Sequence, residues 1–239
     1  MLTTTPTSGN ALLAAFAELE NPAWMAQLEA IELPLGTVLH EPGGAQSHVV
    51  FPGSAIVSLL CLTESGGTAE VAAVGNEGVV GITTLLGGGS TTCSAVVQSA
   101  GMGWRVPEQL LRDEFNRAGP VMQLLLRYMQ SLITQMTQTA VCNRHHSLER
   151  QLCRWLLQTL DRLPGNDMVM TQELIAKALG VRREGVTESA LRLQRAGLIC
   201  YTRGHITVLN RRGLERSACE CYAVVSKECG RLRPEAVAA

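Results

Sequence analysis

The stretch TQELIAKALGVRREGVTESALRLQRAG, residues 171–197, decides the reading of the chain. Thr171 is a good helix N-cap, Glu173 puts an acid in the first turn, and Leu174, Ile175, Ala178 and Leu179 recur at the spacing of one buried helical stripe. Gly180 supplies a left-handed stop. A second stripe of Val186, Ala190 and Leu193 then runs on until Gly197. Two helices joined by so short a connection cross steeply and leave the start of the second one projecting. What projects is Arg182, Arg183, Glu184, Thr187 and Glu188, each with a hydrogen-bonding side chain. Arginine binds the guanine edge with two bonds and glutamate accepts from cytosine, so the pattern predicts a helix-turn-helix that reads DNA. An ordinary helical hairpin with a solvated charged face shares this short pattern.

The residues just downstream separate the two readings. LICYTRGHITVL, residues 198–209, is two β-rich runs around Arg203-Gly204, the signature of a hairpin. A hairpin directly behind a helix-turn-helix makes a winged helix, with Thr202, Arg203 and His205 at a tip suited to phosphates. The charge balance agrees. Residues 171–216 hold nine basic groups against four acidic ones, a balance of +5, whereas residues 1–120 hold three against eleven, a balance of −8. A polyanion is drawn to the second region and repelled by the first, although the whole chain carries only −1.

Upstream, Ser147 and Glu149 start LERQLCRWLLQTLDRL, which buries Leu148, Leu152, Trp155, Leu156 and Leu160 and stops at Pro164-Gly165. Asn143-Arg-His-His-Ser147 breaks the apolar pattern and reads as a hinge. Before it, a helix from about Val121 to Cys142 carries Leu125, Met129, Leu132, Met136, Thr139 and Asn143 at alternate steps of four and three, the period of a two-stranded seam. Two copies are expected to pair along that line; packing on the chain's own roll is the other use for it. From Ile31 to Val106, short β-type runs separated by Gly, Pro and Ser predict an antiparallel roll, a candidate small-molecule pocket. Ala11 to Ala30 is helical in pattern. After the wing, Asn210 caps a final helix, RRGLERSACECYAVVSKE.

The expected class is α+β: an N-terminal antiparallel, jelly-roll-like β-roll with flanking helices over 1–119, a long dimerisation helix and hinge over 120–146, and a winged helix-turn-helix with a C-terminal helix over 147–239. At 239 residues with 46% hydrophobic content the chain can build such cores. It has no apolar run long enough for a bilayer and no signal-like start, so cytoplasm is the expected compartment, with no membrane partner. The eight cysteines lie mostly inside apolar periodic segments and read as reduced thiols. Cys219 and Cys221, two apart on one helix, would point about 200° apart and could not chelate one ion, so no metal site is expected. His145-His146 reads as a solvated connector.

In this order the chain resembles the Crp/Fnr family of bacterial transcription regulators over nearly its whole length. The resemblance rests on HVVFPGSAI and GNEGVVGI in the roll, HSLERQLCRWLL entering the second domain, TQELIAKALGVRREGVT in the reader and LQRAGLICYTRGHITVL in the wing. It implies a homodimer with two recognition helices in successive major grooves of a palindromic double-stranded operator, and RNA polymerase as a further partner. It places base reading on Arg183, Glu184 and Glu188 and a backbone contact on Gln172. Family members that read the commonest half-site have arginine where this chain has Glu188, so a different operator is implied. Members that bind cyclic AMP use a Gly-Glu step and an Arg-Ser pair. Here the matching ligand-site positions read Gly81-Ile82 and Cys93-Ser94, without the acid or the guanidinium, so cyclic AMP is not the expected effector and no cofactor is identified. Gly87-Gly88-Gly89-Ser90 reads as a roll turn. No nucleophile motif supports an enzyme; a binding module without DNA contact is the remaining alternative.

Overall fold

The computed structural model describes residues 6–19, 23–87 and 91–232, so Pro22 and the Gly88-Gly89-Ser90 part of the glycine-rich turn lie outside the described residues. The chain forms two compact units. One comprises 1–59, 73–133 and 228–239; the other comprises 60–72 and 134–227.

The first unit starts with α1 (Pro6–Gly9) and α2 (Ala11–Leu19). Asn10, buried between them, caps α2 by accepting from the Leu13 N–H at 3.1 Å, and its amide nitrogen donates to the carbonyls of Pro52 and Gly78. A buried amide is tolerated there because each of its groups is used. Phe16, Trp24 and Phe51 make edge-on and stacked ring contacts under the helix. Seven strands follow: β1 (Glu29–Leu33), β2 (Val38–His40), β3 (His48–Pro52), β4 (Ile56–Leu62), β5 (Thr68–Val74), β6 (Cys93–Ser99) and β7 (Gly101–Pro107). They form two sheets, ordered β1-β7-β3 and β2-β6-β4-β5, as the expected roll requires. Ala11 to Ala30 is not one helical segment, however. A 3-10 turn covers Ala23–Gln27, and Glu29 and Ala30 already pair with Arg105 and Trp104 of β7, the ladder overriding helical propensity. The unit continues through α3 (Glu108–Asn116) into α4 (Pro120–His145), and the division between units falls inside α4.

The second unit comprises the rest of α4, α5 (Leu148–Leu160), β8 (Asp167–Val169), α6 (Gln172–Leu179), α7 (Arg183–Arg195), β9 (Ile199–Thr202), β10 (His205–Val208), α8 (Arg211–Ser217) and most of α9 (Glu220–Gly230). Its core gathers Leu152, Trp155, Leu156 and Leu160 of α5 with Ile175, Leu179, Val186, Leu193, Ile206 and Leu214. Burial of each such side chain is worth about 1.5–3 kcal/mol. Ser147 stands at the N-cap of α5 with extended backbone but makes no side-chain cap bond. Residues 60–72, the tip of the β4–β5 hairpin, belong to this unit: Glu70 accepts from the Trp155 indole N–H at 3.0 Å. The final helix of the sequence reading is two helices. Asn210 caps α8 by accepting from the Gly213 N–H at 2.8 Å, and the chain then breaks at Ala218 and Cys219 before α9.

Candidate nucleic-acid interface

The reader forms as its sequence dictates. The Thr171 hydroxyl accepts from the Leu174 N–H at 3.2 Å and starts α6; Gly180, at φ 65°, ends it in the left-handed conformation that glycine adopts without strain. Ile175, Ala178 and Leu179 are buried on α6, and Val186, Ala190 and Leu193 on α7, while Leu174 is only partly buried. The Thr187 hydroxyl donates to the Gln172 amide oxygen at 2.7 Å, so the start of α6 is tied to the exposed face of α7.

Behind α7 stands the wing. β8, β10 and β9 form an antiparallel sheet, and His205 pairs with Thr202 across a two-residue turn. Arg203 (φ 50°) and Gly204 (φ 82°) both take positive φ, the geometry of a type I′ turn, and the Arg203 side chain is carried at its tip. Between wing, α6 and α7 lies a cleft of about 540 Å³ lined by Gln172, Arg183, Thr187, Gln194, Tyr201 and Arg203 among others. The Tyr201 hydroxyl donates to the Met170 carbonyl at 2.9 Å and its backbone N–H to Gln194 Oε1 at 2.8 Å, which fixes the cleft wall. Burial pushes the Tyr201 phenol up, and the nearby Arg183 guanidinium pulls it the other way.

The electrostatics of this face are uneven. Arg182, Arg183, Glu184 and Glu188 are all exposed. Among the described residues no carboxylate lies within ion-pair distance of Arg182, Arg183 or Arg203, whereas Arg192 is held by two, Glu149 and Glu188, each at 2.6 Å. Its own side-chain bonds to those carboxylates hold Arg192 above the usual arginine range. Glu188 therefore presents its carboxylate beside a cation it already shares. That leaves acceptor oxygens but little free negative charge, a chemistry that suits an amino donor such as that of cytosine.

The family of Crp-like helix-turn-helix domains matches residues 150–217, from the third residue of α5 to the end of α8. The reader is similar to the helix-turn-helix domain of that family. Solved structures extend the likeness in fold to about four fifths of the chain. FixK2 from Bradyrhizobium japonicum is 16% identical, with 80% of this chain and 98% of that chain covered at a TM-score of 0.70. A Crp/Fnr-family transcriptional regulator from Thermus thermophilus is 21% identical over 80% and 98%, at 0.62. The c-di-GMP responsive global regulator CLP of Xanthomonas campestris is 15% identical over 82% and 97%, at 0.60. No curated protein matches the chain. The resemblance read from the sequence thus holds for the fold, a β-roll followed by a helix-turn-helix, and for the Crp-like reader.

The four ligand-site positions in the roll do not converge on one set of donors. Gly81 takes φ 96°, and Ile82 is buried at the start of a 3-10 turn. Ser94 donates to Glu41 Oε2 at 3.3 Å. Cys93 is disulfide-bonded, as is Cys61, which corrects the reading of all eight cysteines as reduced. A side chain the sequence reading passed over stands next to Gly81. Both amide atoms of Gln46 are buried without a hydrogen-bond partner, and a Cβ added to Gly81 would come within 2.8 Å of its oxygen.

On α4, the expected seam is largely occupied already. Leu125, Met129, Leu132 and Thr139 are buried within a single copy, Met136 is half-buried, and only Asn143 is exposed. The exposed ladder lies one residue further on: Leu126, Gln130, Ile133, Thr137 and Ala140 keep the alternate steps of four and three. The premise behind the expectation for Cys219 and Cys221, one continuous helix, does not hold. Cys219 sits in the break before α9, not on its helix, so the angle computed for one continuous helix does not apply.

Proposed function

We propose that the chain is a sequence-specific DNA-binding transcription regulator that acts as a homodimer on a two-fold symmetric duplex site. The observation that carries this reading is the free cationic edge of the Crp-like domain. Arg183 and Arg203 line a cleft whose walls also offer Gln172 and Thr187, Arg182 stands exposed at the N-cap of α7, and among the described residues none of the three guanidiniums has a carboxylate within ion-pair distance. Phosphates are drawn to such an edge. Arg183 and Glu184, in the first turn of α7, are the side chains assigned to base edges, with Glu188 one turn on.

Dimer contact is assigned to the exposed ladder of Leu126, Ile133 and Ala140 on α4 rather than to the buried line beside it. An isologous pairing of two such helices projects two α7 helices from one particle, and RNA polymerase is the partner such a regulator would engage. An effector in the roll is a second part of the reading. The absence of an acid at Ile82 and a guanidinium at Cys93 argues against cyclic AMP, and the unpartnered amide of Gln46 beside Gly81 offers a donor and an acceptor to a small polar ligand.

Selection of bound duplexes from a random pool, with and without small molecules extracted from cells, tests both parts. The expected result is a two-fold symmetric consensus with half-sites about one helical turn apart. A pool that stays random at low salt would reject the regulator reading, and a consensus and affinity indifferent to the extract would reject the effector.

A further inference from the structure

Four side chains that DNA reading does not use meet at the end of α4. Cys142 lies in its last turns and His146 one turn further on, and the His146 N–H still donates to the Cys142 carbonyl at 3.0 Å, so both stand on one helical face. Cys219 occupies the break before α9 and Cys221 the first turn of that helix. The four donor atoms all lie within 4.8 Å of one another. Cys142 Sγ is 3.5 Å from Cys219 Sγ, and Cys221 Sγ is 3.7 Å from His146 Nδ1. Around a tetrahedral zinc ion, with Zn–S of about 2.3 Å and Zn–N of about 2.0 Å, neighbouring donors are about 3.5–3.8 Å apart. Two edges of that tetrahedron are thus present, and the remaining separations close with side-chain adjustments of about 1 Å.

Two independent features fit a metal ion at this point. First, His146 Nε2 lies 3.3 Å from Glu220 Oε1. A carboxylate on one ring nitrogen fixes the proton there and turns the lone pair of the other, Nδ1, toward Cys221, the arrangement that orients metal-bound histidines. Second, Arg154 is buried nearby and has no carboxylate within ion-pair distance among the described residues. Its Nη1 donates to the neutral groups Thr139 Oγ1 at 3.1 Å and Gln158 Oε1 at 3.3 Å, and its Nε has no partner. A buried cation without a counter-charge is costly. Three thiolates and one neutral imidazole around a divalent ion carry a net charge of −1, which this arginine balances. The three cysteines are also buried, and such closed surroundings suit a structural ion with no open coordination position.

We infer that Cys142, His146, Cys219 and Cys221 form a four-coordinate Cys3His site for a divalent zinc ion. On binding, three thiol protons pass to water, three Zn–S bonds and one Zn–N bond form, and nothing is oxidised or reduced. The ion staples the end of α4 to the start of α9 and so fixes the segment that leads into α5.

Full-length protein purified in reductant without chelator tests this by metal analysis and by cobalt(II) titration of the stripped protein. One zinc per chain is expected. Cobalt should saturate at one equivalent with the intense visible bands of tetrahedral coordination and thiolate-to-metal charge transfer, and zinc should displace it. Cys221→Ser should abolish saturable uptake, while Cys200→Ser, at an exposed cysteine outside the cluster, should retain it. Since a buried cysteine variant can also unfold, Glu220→Gln provides a second arm: the side chain is 73% exposed, and losing it should weaken zinc about 10–100-fold with an unchanged circular dichroism spectrum. Substoichiometric metal, six-coordinate cobalt bands, uptake unchanged in Cys221→Ser, or a Cys142–Cys219 disulfide in place of metal would each overturn the site. Zinc affinity unmoved by Glu220→Gln would remove His146 from it.

Discussion

The salt dependence of DNA binding tests the free cationic edge quantitatively. Among the described residues Arg182, Arg183 and Arg203 of each copy have no carboxylate within ion-pair distance, whereas Lys177, Arg192 and Arg211 are each engaged by at least one. A dimer engaging six phosphates through these groups should lose affinity with a log–log slope of about −5, or about 10³-fold between 50 and 200 mM salt. A single copy with three contacts should give a slope of about −2.7, only about 40-fold over the same range. Arg203→Asn is the informative substitution. Asparagine followed by Gly204 is favoured in a type I′ turn, so the wing keeps its fold while losing its charge. The dimer's slope should fall to about −3.6, or about 150-fold over that range. Fluorescence anisotropy of a labelled duplex across a potassium chloride series measures both slopes. A dimeric protein with a slope near that of a single copy, or a slope that Arg203→Asn leaves unmoved, would refute the assignment of these arginines to phosphates.

Arg183→Ala should weaken the selected site by about 1–3 kcal/mol and relax preference at one base position, seen by comparing operator with random duplex. Glu188→Gln leaves Arg192 its Glu149 partner at 2.6 Å and removes one carboxylate from the interface, so binding to random DNA should tighten while the selected consensus changes at one position per half-site. Ile133→Asp, at a side chain 54% exposed, should convert the dimer to monomer in sedimentation without loss of the helical circular dichroism signal, whereas Leu125→Asp, at a fully buried one, should unfold the protein. His40 is held below its ordinary 6.5, chiefly by burial, with the Cys93 backbone hydrogen bond and Glu41 pulling back. The unfolded chain therefore takes up that proton first as pH falls. The associated stability is fully present above the unfolded value and is lost as pH drops below about 6.5. His40→Gln should flatten this part of the pH dependence of Tm, and an unchanged profile would exclude His40 as its source.

What was legible in the sequence was whatever a short stretch specifies by itself. Thr171 as a cap, Gly180 as a left-handed stop and Arg203-Gly204 as a turn each act within a few residues, and all three are formed as read. The stripes of α6 and α7 follow from periodicity alone, which is why the reader could be placed to the residue. The α4 seam shows the limit of that logic. Leu125 and Leu126 head two parallel ladders with the same alternation of four and three, and only the fold reveals that the more apolar one is spent inside a single copy. A heptad pattern identifies a buried line on a helix; it carries no information on whose side chains bury it.

The cysteines show the same limit in a sharper form. Cys142 and His146 share a helical face, a spacing visible in the sequence, but Cys219 and Cys221 converge on them only because the last helical stretch breaks at Ala218 and Cys219. Read as one helix, RRGLERSACECYAVVSKE sends the two thiols about 200° apart; with the break, Cys219 leaves the helical register and the angle no longer governs. Leu214 and Cys221, seven residues apart, would share one face of a straight helix, with Cys219 turned well away from it; with the break, Leu214, Cys219 and Cys221 are all buried and Cys219 Sγ lies 3.5 Å from Cys142 Sγ. The helix therefore ends where three thiols gather. A local propensity yields there to a buried contact 77 residues away in sequence, and sites where local rules give way to distant ones are where a ligand is worth testing for.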